Sequence, residues 1–228
     1  MIFVNFKTYP EGTGKKAIEL AKICSEVAKK SGVPIIPVVQ VVDVYQIKQA
    51  ANDSIWIQHL DPYLPDRATG FINLEALIEA GATGTILNHA EHKIPLGTIK
   101  QTIKRIEKIN SSKNSKIKNK FQTLICVRSL SQTERIVKLK PDFIAYELAE
   151  LIGGDISVSQ AQPEMIKHFV EACSSISAII GAGIKNETDV KIGLQLGAKG
   201  ILVSSGVVLA HDPEKILLEF TKQFHVSI

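Results

Sequence analysis

Short apolar runs recur along the chain, and longer segments with helical spacing separate them. Eight runs stand out: IFVNF from residue 2, VPIIPVV from 33, SIWIQ from 54, GTILN from 84, FQTLICV from 121, DFIAY from 142, SAIIG from 177 and GILVS from 200. They are rich in β-branched residues and almost continuously apolar, without the alternation of a half-exposed sheet. The pattern predicts eight strands of a parallel sheet that is covered on both faces.

The segments between these runs predict helices. After the first run, apolar residues at spacings of three and four lie on one helical face: Ala17, Leu20, Ala21, Cys24 and Val27. A second stripe follows the fourth run, and we assign it to the core rather than to a subunit contact: Ile99, Ile103, Ile106 and Ile109. Helix starts are indicated at Asn73 and at Asp212, which precedes Pro213, since these residue types favour cap and first-turn positions.

Strand and helix alternate eight times, and the 228 residues give about 28 per unit, close to the roughly 31 of a typical barrel. We therefore predict one α/β domain over residues 1–228, a single (β/α)8 barrel with a closed eight-stranded parallel sheet. The alternative is an open, doubly wound sheet. Such sheets more often carry a glycine-rich fingerprint after the first strand, and Gly12 and Gly14 do not form one.

Composition narrows the class of protein without deciding its function. Hydrophobic residues make up 45% of the chain and charged residues 22%, as in ordinary globular proteins. The net charge of +4 is compatible with an anionic substrate or with loose nucleic-acid binding. Cys24, Cys126 and Cys173 are too few and scattered for a disulfide framework or a zinc site, which favours a cytoplasmic protein. We recognise no targeting segment and no membrane-spanning run, so we expect no membrane partner.

In a (β/α)8 barrel the active site lies at the carboxyl ends of the strands, so polar residues there are the candidates for chemistry. Asn5 and Lys7 stand two positions apart at the end of the first strand and point to the same face. Lys7 offers a fixed positive charge for an anion. The alternative is a lysine exposed to solvent at a strand end.

His89 follows the fourth strand, where a helix or turn begins. A helix N-terminus disfavours positive charge, so we expect a neutral imidazole that polarises a carbonyl. The alternative is a histidine bonded to nearby backbone. Glu91 is either a capping residue or an ion-pair partner for Lys7, and its neighbour His92 has no assigned role.

Glu147 directly follows the sixth strand and precedes an apolar segment. A carboxylate roofed by apolar side chains becomes a stronger base once water is excluded, which suits proton abstraction next to a carbonyl. Its alternative role is a helix N-cap. The loops after strands six to eight contain small residues that let an anion approach the backbone, as barrel phosphate sites require: Gly153, Gly154, Gly181, Gly183, Ser204, Ser205 and Gly206.

Taken in order, five segments resemble strand-end motifs of the triosephosphate isomerase family in its shorter archaeal form: VNFKTY, LNHAEHK, YELAELIGGD, GAGI and LVSSGV. The likeness runs from end to end of the chain. It implies a TIM barrel in which Lys7, His89 and Glu147 are catalytic. It also implies a set of substrate-binding residues: Asn5, Glu91, Ile152, Gly153, Gly183, Ser204 and Ser205.

The resemblance also implies an activity. A glutamate base with a histidine electrophile is the arrangement of triosephosphate isomerase itself. Glu147 would move a proton between neighbouring carbons and interconvert dihydroxyacetone phosphate and D-glyceraldehyde 3-phosphate through an enediolate, in glycolysis and gluconeogenesis. No cofactor and no metal ion is implied.

The sequence departs from the family's usual pattern at four places: Leu148 for a hinge proline, Gly154-Asp155 for Thr-Gly, Ala90 for a serine, and His92-Lys93 for two arginines. We expect these changes to lower phosphate affinity or turnover before they change the reaction type.

Two other functions stay open. One is a barrel enzyme that acts on another sugar phosphate. Glycine-lined loops indicate that a phosphate group binds, but they do not indicate the rest of the substrate. The other is a nucleic-acid or scaffold protein that uses the basic stretch 100–120. We disfavour nucleic acid as a partner because no aromatic residue is interleaved before Phe121. The resemblance implies a homodimer or homotetramer, since the segment after strand three keeps Thr69 and Gly70 of the loop tip that enters a neighbouring subunit.

Overall fold

The computed structural model describes residues 1–51, 54–112, 120–147, 163–181 and 183–226. All eight predicted strands are present: β1 Ile2–Asn5, β2 Ile35–Val39, β3 Trp56–Ile57, β4 Gly84–Leu87, β5 Gln122–Val127, β6 Phe143–Tyr146, β7 Ser177–Gly181 and β8 Gly200–Val203. The helices of the described residues are α1 Gly14–Ser31, α2 Val44–Ala51, α3 Leu74–Ala80, α4 Leu96–Asn110, α5 Leu130–Val137, α6 Pro163–Cys173, α7 Glu187–Gln195, α8 Ser205–Val208 and α9 Pro213–Val226. Two single 3-10 turns lie at Pro10–Gly12 and Val41–Asp43.

The strands form a closed parallel barrel in chain order from β1 to β8, and β8 pairs back onto β1. This confirms the predicted fold class and excludes the open sheet. Because every strand runs in the same direction, the segments after the strands all emerge at one end of the barrel. That end collects the candidate residues into one neighbourhood.

Three aromatic side chains pack together in the barrel interior, among mostly aliphatic ones. The ring of Phe3 packs edge-on against Trp56 and Phe143, with centroid separations of 5.0 and 5.4 Å. Gly84 makes room for the indole, since a Cβ at this position would lie 2.2 Å from Cε2 of Trp56. The larger apolar cluster lies between the strands and the surrounding helices. The interior is therefore a packed core rather than a channel.

The helix signals of the sequence are confirmed. Asn73 caps α3 through Oδ1, which accepts from the N–H groups of Glu75 and Ala76, and α9 begins at Pro213 after Asp212. The α4 stripe belongs to the core, with Ile99, Ile103 and Ile106 buried and Ile109 packed against them. Among the described residues, no helix is long and apolar enough to cross a membrane. Of the basic stretch, residues 113–119 lie outside the described residues.

Candidate active site

Lys7 stands just past the end of β1 in an unusual backbone conformation. The backbone N–H of Phe6 still bonds the carbonyl of Val38, so the sheet ladder ends one residue before Lys7. Lys7 has φ of 47°, in the left-handed region that non-glycine residues rarely adopt. Its N–H donates to Oδ1 of Asn5 at 3.0 Å, and its carbonyl accepts from Nε2 of Gln58 at 2.8 Å. Two amide side chains thus hold both backbone polar groups of Lys7.

The Lys7 side chain reaches Glu91 in the loop after β4. Nζ lies 2.5 Å from Oε1 of Glu91, so the ion pair that the sequence allows is present. The lysine side chain is only 14% exposed, whereas that of Glu91 is 53% exposed. The ammonium therefore sits on the inner side of the pair, where a bound anion would meet it.

His89 lies in a turn rather than at the start of a helix. The N–H of His92 donates to the carbonyl of His89 at 2.9 Å, and α4 begins only at Leu96. Nδ1 of His89 accepts from the backbone N–H of Glu91 at 3.2 Å, so the ring proton is assigned to Nε2. Nε2 lies 3.4 Å from Oε1 of Glu147. The turn thus orients the imidazole towards the end of β6.

The pKa of His89 depends on burial and on two facing carboxylates. Burial lowers its pKa, but the contact with Glu147 and the negative charges of Glu147 and Glu91 outweigh burial and the opposing charge of Lys7. The net result is a pKa raised above the ordinary histidine value. No helix begins at His89, so a helix N-terminus does not set this pKa. The neutral imidazole stays a prediction, and an Nδ1 that accepts a hydrogen bond from the N–H of Glu91 is consistent with it.

Glu147 is fixed by the strand that it follows. Its N–H donates to the carbonyl of Val127 at 2.9 Å, which continues the pairing of β5 and β6 by one residue. The residue is 4% exposed. Its Oε2 is buried and accepts no hydrogen bond from the part of the chain that the structure describes. A carboxylate oxygen with free lone pairs at the barrel mouth can accept a proton.

The predicted phosphate loops are only partly within the described residues. Ile152 and Gly153 lie outside them. Gly183, with φ of 71°, follows β7. Ser204 directly follows β8 and donates through Oγ to the carbonyl of Asn5 at 2.7 Å, and Ser205 begins α8. These bonds bring the loop after β8 alongside the end of β1.

The loops after β7 and β8 pack closely. A Cβ at Gly206 would lie 2.7 Å from the carbonyl oxygen of Ile184, so only glycine fits there without a shift. The N–H groups of the first residues of a helix have no acceptor within that helix. Ser205 and Gly206 are the first two residues of α8. The loop after β8 therefore lies against both the loop after β7 and the end of β1.

A cavity of about 290 Å³ joins Asn5, Lys7, His89 and Glu91, and Gln58 also lines it. A second cavity, of about 160 Å³, is lined by Glu147, Ala90 and Cys126. Burial raises the pKa of the Cys126 thiol well above its usual value, and the charge of Glu147 raises it further. The thiol therefore stays protonated beside the carboxylate.

The sequence reasoning missed Gln58 and Cys126, and it assigned Gly181 to a phosphate loop without its contact with Glu147. Gln58 stands at the end of β3, so the rule used for the other strands could have found it. A Cβ at Gly181 would lie 3.0 Å from Cγ of Glu147, which no pattern in the sequence indicates. Among the described residues, no group of His, Cys, Asp and Glu side chains is arranged to hold a metal ion.

Known proteins resemble this chain over almost its whole length. A family model described as triosephosphate isomerase matches residues 1–220. A triosephosphate isomerase of Methanothermus fervidus is 38% identical over 223 residues, which cover 96% of each chain. Those of Methanobrevibacter smithii and Methanocaldococcus jannaschii are 34% and 35% identical over 227 and 226 residues. The alignments cover 98% of both chains in the first case, and 97% of this chain and 99% of the relative in the second.

Proposed function

The chain belongs to the triosephosphate isomerase family, and from this premise we propose that it interconverts dihydroxyacetone phosphate and D-glyceraldehyde 3-phosphate with Glu147 as its base. It is an isomerase, and the reaction belongs to glycolysis and gluconeogenesis. One observation supports the residue roles above all. The buried carboxylate of Glu147 and Nε2 of His89 face each other at 3.4 Å, beside the cavity that Lys7 lines.

The proposed chemistry is a proton transfer between adjacent carbons. Glu147 removes a proton from C1 of dihydroxyacetone phosphate, and the electron pair passes to the carbonyl oxygen to give an enediolate. The oxygen-bound protons rearrange, and the carboxyl of Glu147 returns its proton to C2. Nε2–H of His89 and the ammonium of Lys7 stabilise the negative charge on the two oxygens. No metal ion or cofactor takes part in these steps.

Substrate must enter between two groups that now touch. A separation of 3.4 Å leaves no room for a carbon atom between Oε1 of Glu147 and Nε2 of His89. Binding therefore requires the carboxylate to turn away from the ring. The 160 Å³ cavity that Glu147 lines is proposed to take up the carboxylate.

The phosphate is proposed to bind between the loops after β7 and β8. Gly183, Ser204 and Ser205 are the residues proposed to contact it. The hydrogen bond from Oγ of Ser204 to the carbonyl of Asn5 joins the loop after β8 to the end of β1. Ile152 and Gly153 are proposed to complete the site from outside the described residues. Asn5 and Glu91 are proposed to assist substrate binding through Lys7. Asn5 accepts a hydrogen bond from the Lys7 backbone N–H, and Glu91 forms an ion pair with the Lys7 ammonium.

We also propose that the chain self-associates through the segment between β3 and α3. Its tip exposes three large apolar side chains, Tyr63, Leu64 and Phe71, and Gly70 lies open at the end. A neighbouring segment exposes Val41, Val42 and Tyr45. Exposed apolar side chains in two adjoining segments are typical of a protein interface. A homodimer needs only these surfaces, and a homotetramer needs a second one.

The cytoplasm is the proposed location, where triose phosphates of glycolysis occur. All three cysteines, Cys24, Cys126 and Cys173, are buried free thiols. Free thiols are typical of a reducing compartment. Nucleic acid is not a proposed partner.

The test is turnover of D-glyceraldehyde 3-phosphate by the purified chain, wild type and Glu147→Gln. The amide keeps the shape of the carboxylate but cannot accept the proton, so kcat should fall by about 10²–10⁴-fold. Glu134→Gln, an exposed position on α5, is the matched control and should keep wild-type activity. Folded wild-type protein without turnover would contradict the proposed reaction, and other sugar phosphates would then be assayed. Full activity in Glu147→Gln would contradict the assigned base.

A further inference from the structure

We propose that Gln58 is a positioning residue for Lys7: its side-chain amide holds the Lys7 carbonyl and so keeps the lysine backbone in the conformation that delivers Nζ to the active-site cavity. This inference rests on the proposed function, because it assumes that Lys7 meets the substrate. Gln58 itself is not assigned a contact with the reacting atoms.

The backbone of Lys7 needs hydrogen bonds from other residues to keep this conformation. A non-glycine residue in the left-handed region is strained, and it persists only where its surroundings fix it. The sheet cannot fix it, because the last ladder bond is made by Phe6. The N–H of Lys7 is held by Asn5, two residues away on the same strand. Gln58 donates a second hydrogen bond, to the Lys7 carbonyl, from the end of another strand.

Gln58 is well placed to resist movement. It directly follows β3, whose Trp56 and Ile57 are buried in the core. Its side chain spans from the end of β3 to the end of β1, past β2, and meets the Lys7 carbonyl at 2.8 Å. The donor is thus anchored by the barrel itself rather than by a mobile loop tip.

The residue after Gln58 is tied to the turn that carries His89. The ring of His59 packs against that of His92 at a tilt of 39°, with centroids 4.3 Å apart, and its Nε2 lies 3.2 Å from Oδ1 of Asp61. The N–H of His92 in turn bonds the carbonyl of His89. The end of β3 therefore contacts both the lysine and the histidine turn. A change at Gln58 alters the relative placement of the two electrophiles.

Two isosteric replacements separate positioning from simple packing. Gln58→Met keeps the length of the side chain and removes the donor, so the Lys7 carbonyl loses its partner. Gln58→Glu presents an acceptor when ionised and a donor when protonated. Gln122→Met makes the same change at the opposite end of the barrel, at the start of β5, and is the matched control.

The first measurement is kcat/KM from pH 8 to pH 5 for these variants and the wild type. Gln58→Met should lose about tenfold to 100-fold at all pH values, as for a small misplacement of a catalytic group. The Gln58→Glu to wild-type ratio should rise several-fold towards pH 5, because protonation of a glutamate with an ordinary pKa of about 4.3 restores a donor. Full activity in Gln58→Met, or a flat ratio for Gln58→Glu, would overturn the proposal. If Gln58→Met does not fold, the Gln58→Glu profile decides alone.

A second measurement does not depend on activity. Lys7 Nζ is paired and little exposed, so an amine acylating reagent should modify it slowly in the wild type, as read by peptide mass spectrometry. Gln58→Met should raise this rate at least tenfold and Gln122→Met should not. An unchanged rate would refute the positioning role. Absence of wild-type turnover would instead refute the proposed function and leave this result intact.

Discussion

Nε2 of His89 lies 3.4 Å from Oε1 of Glu147, and both side chains are less than a tenth exposed. Glu147 comes from the end of β6 and His89 from the turn after β4, so the barrel brings together two groups that are 58 residues apart. Because water is largely excluded, the charge of Glu147 acts strongly on the pKa of His89. The two side chains are the proposed centre of the reaction, and the effect of Glu147 on the pKa of His89 can be measured.

The pKa of His89 should fall when Glu147 is replaced by glutamine. The contact with Glu147 and its charge do most to raise that pKa, and the charge of Glu91 adds less. Glu147→Gln should therefore lower the pKa more than Glu91→Gln does. NMR titration of the imidazole in the three proteins measures both shifts, and equal values in wild type and Glu147→Gln would contradict the pairing.

Stability should depend on pH through the same group. A histidine whose pKa is raised on folding stabilises the folded state fully below its unfolded value of about 6.5, and this contribution is lost as pH rises through the raised pKa. The difference in unfolding free energy between wild type and His89→Gln should be larger at pH 6 than at pH 9. Urea unfolding at the two pH values measures it, and the opposite trend would show that burial dominates.

Gly181→Ala should impair catalysis without unfolding the protein. The new Cβ would lie 3.0 Å from Cγ and 3.1 Å from Oε1 of Glu147, which is tighter than ordinary contact, so the carboxylate must shift. A shift of this kind costs up to about 100-fold in rate when it displaces a catalytic group. We expect kcat to fall by about tenfold to 100-fold, with circular dichroism unchanged. Wild-type kcat would mean that Glu147 tolerates displacement.

The strands and the strand-end residues could be predicted from the sequence, whereas contacts between side chains of different strands could not. Continuous apolar runs fix the strands because a parallel sheet covered on both faces requires them, and the strand ends then place Lys7, His89 and Glu147 at one mouth. The contact between Gly181 and Glu147 depends on the spacing of β6 and β7, which no local pattern encodes. The raised pKa of His89 could not be predicted from its neighbours alone, because its largest upward contribution comes from Glu147, which lies 58 residues away in the sequence.

Gly84→Ala should destabilise the barrel interior. A Cβ would lie 2.2 Å from the fully buried indole of Trp56, which packs against Phe3 and cannot withdraw. Overpacking of this kind costs about 1–3 kcal/mol. The matched control is Gly97→Ala on α4, where open space and a helical backbone predict a gain of about 0.5–1 kcal/mol. Urea unfolding midpoints should move in opposite directions.

Phe71→Asp should weaken self-association. Phe71 is 49% exposed and packs on Tyr63, with ring centroids 4.3 Å apart, so the two rings form a single apolar surface. The buried guanidinium of Arg105 holds the carbonyl of Tyr63 and pairs with Glu75, which fixes this surface to α3 and α4. A carboxylate in the centre of such a contact should weaken dimerisation by about 30-fold or more, as at an interface hot spot.

Leu209→Asp is the matched control, because Leu209 is equally exposed at 48% but follows α8, away from the segment between β3 and α3. Light scattering across a dilution series should give a smaller mass for Phe71→Asp at concentrations where wild type and Leu209→Asp stay associated. A monomeric wild type would refute self-association. An associated Phe71→Asp would move the interface to another surface, since a charge cannot be buried unpaired between two rings without loss of affinity.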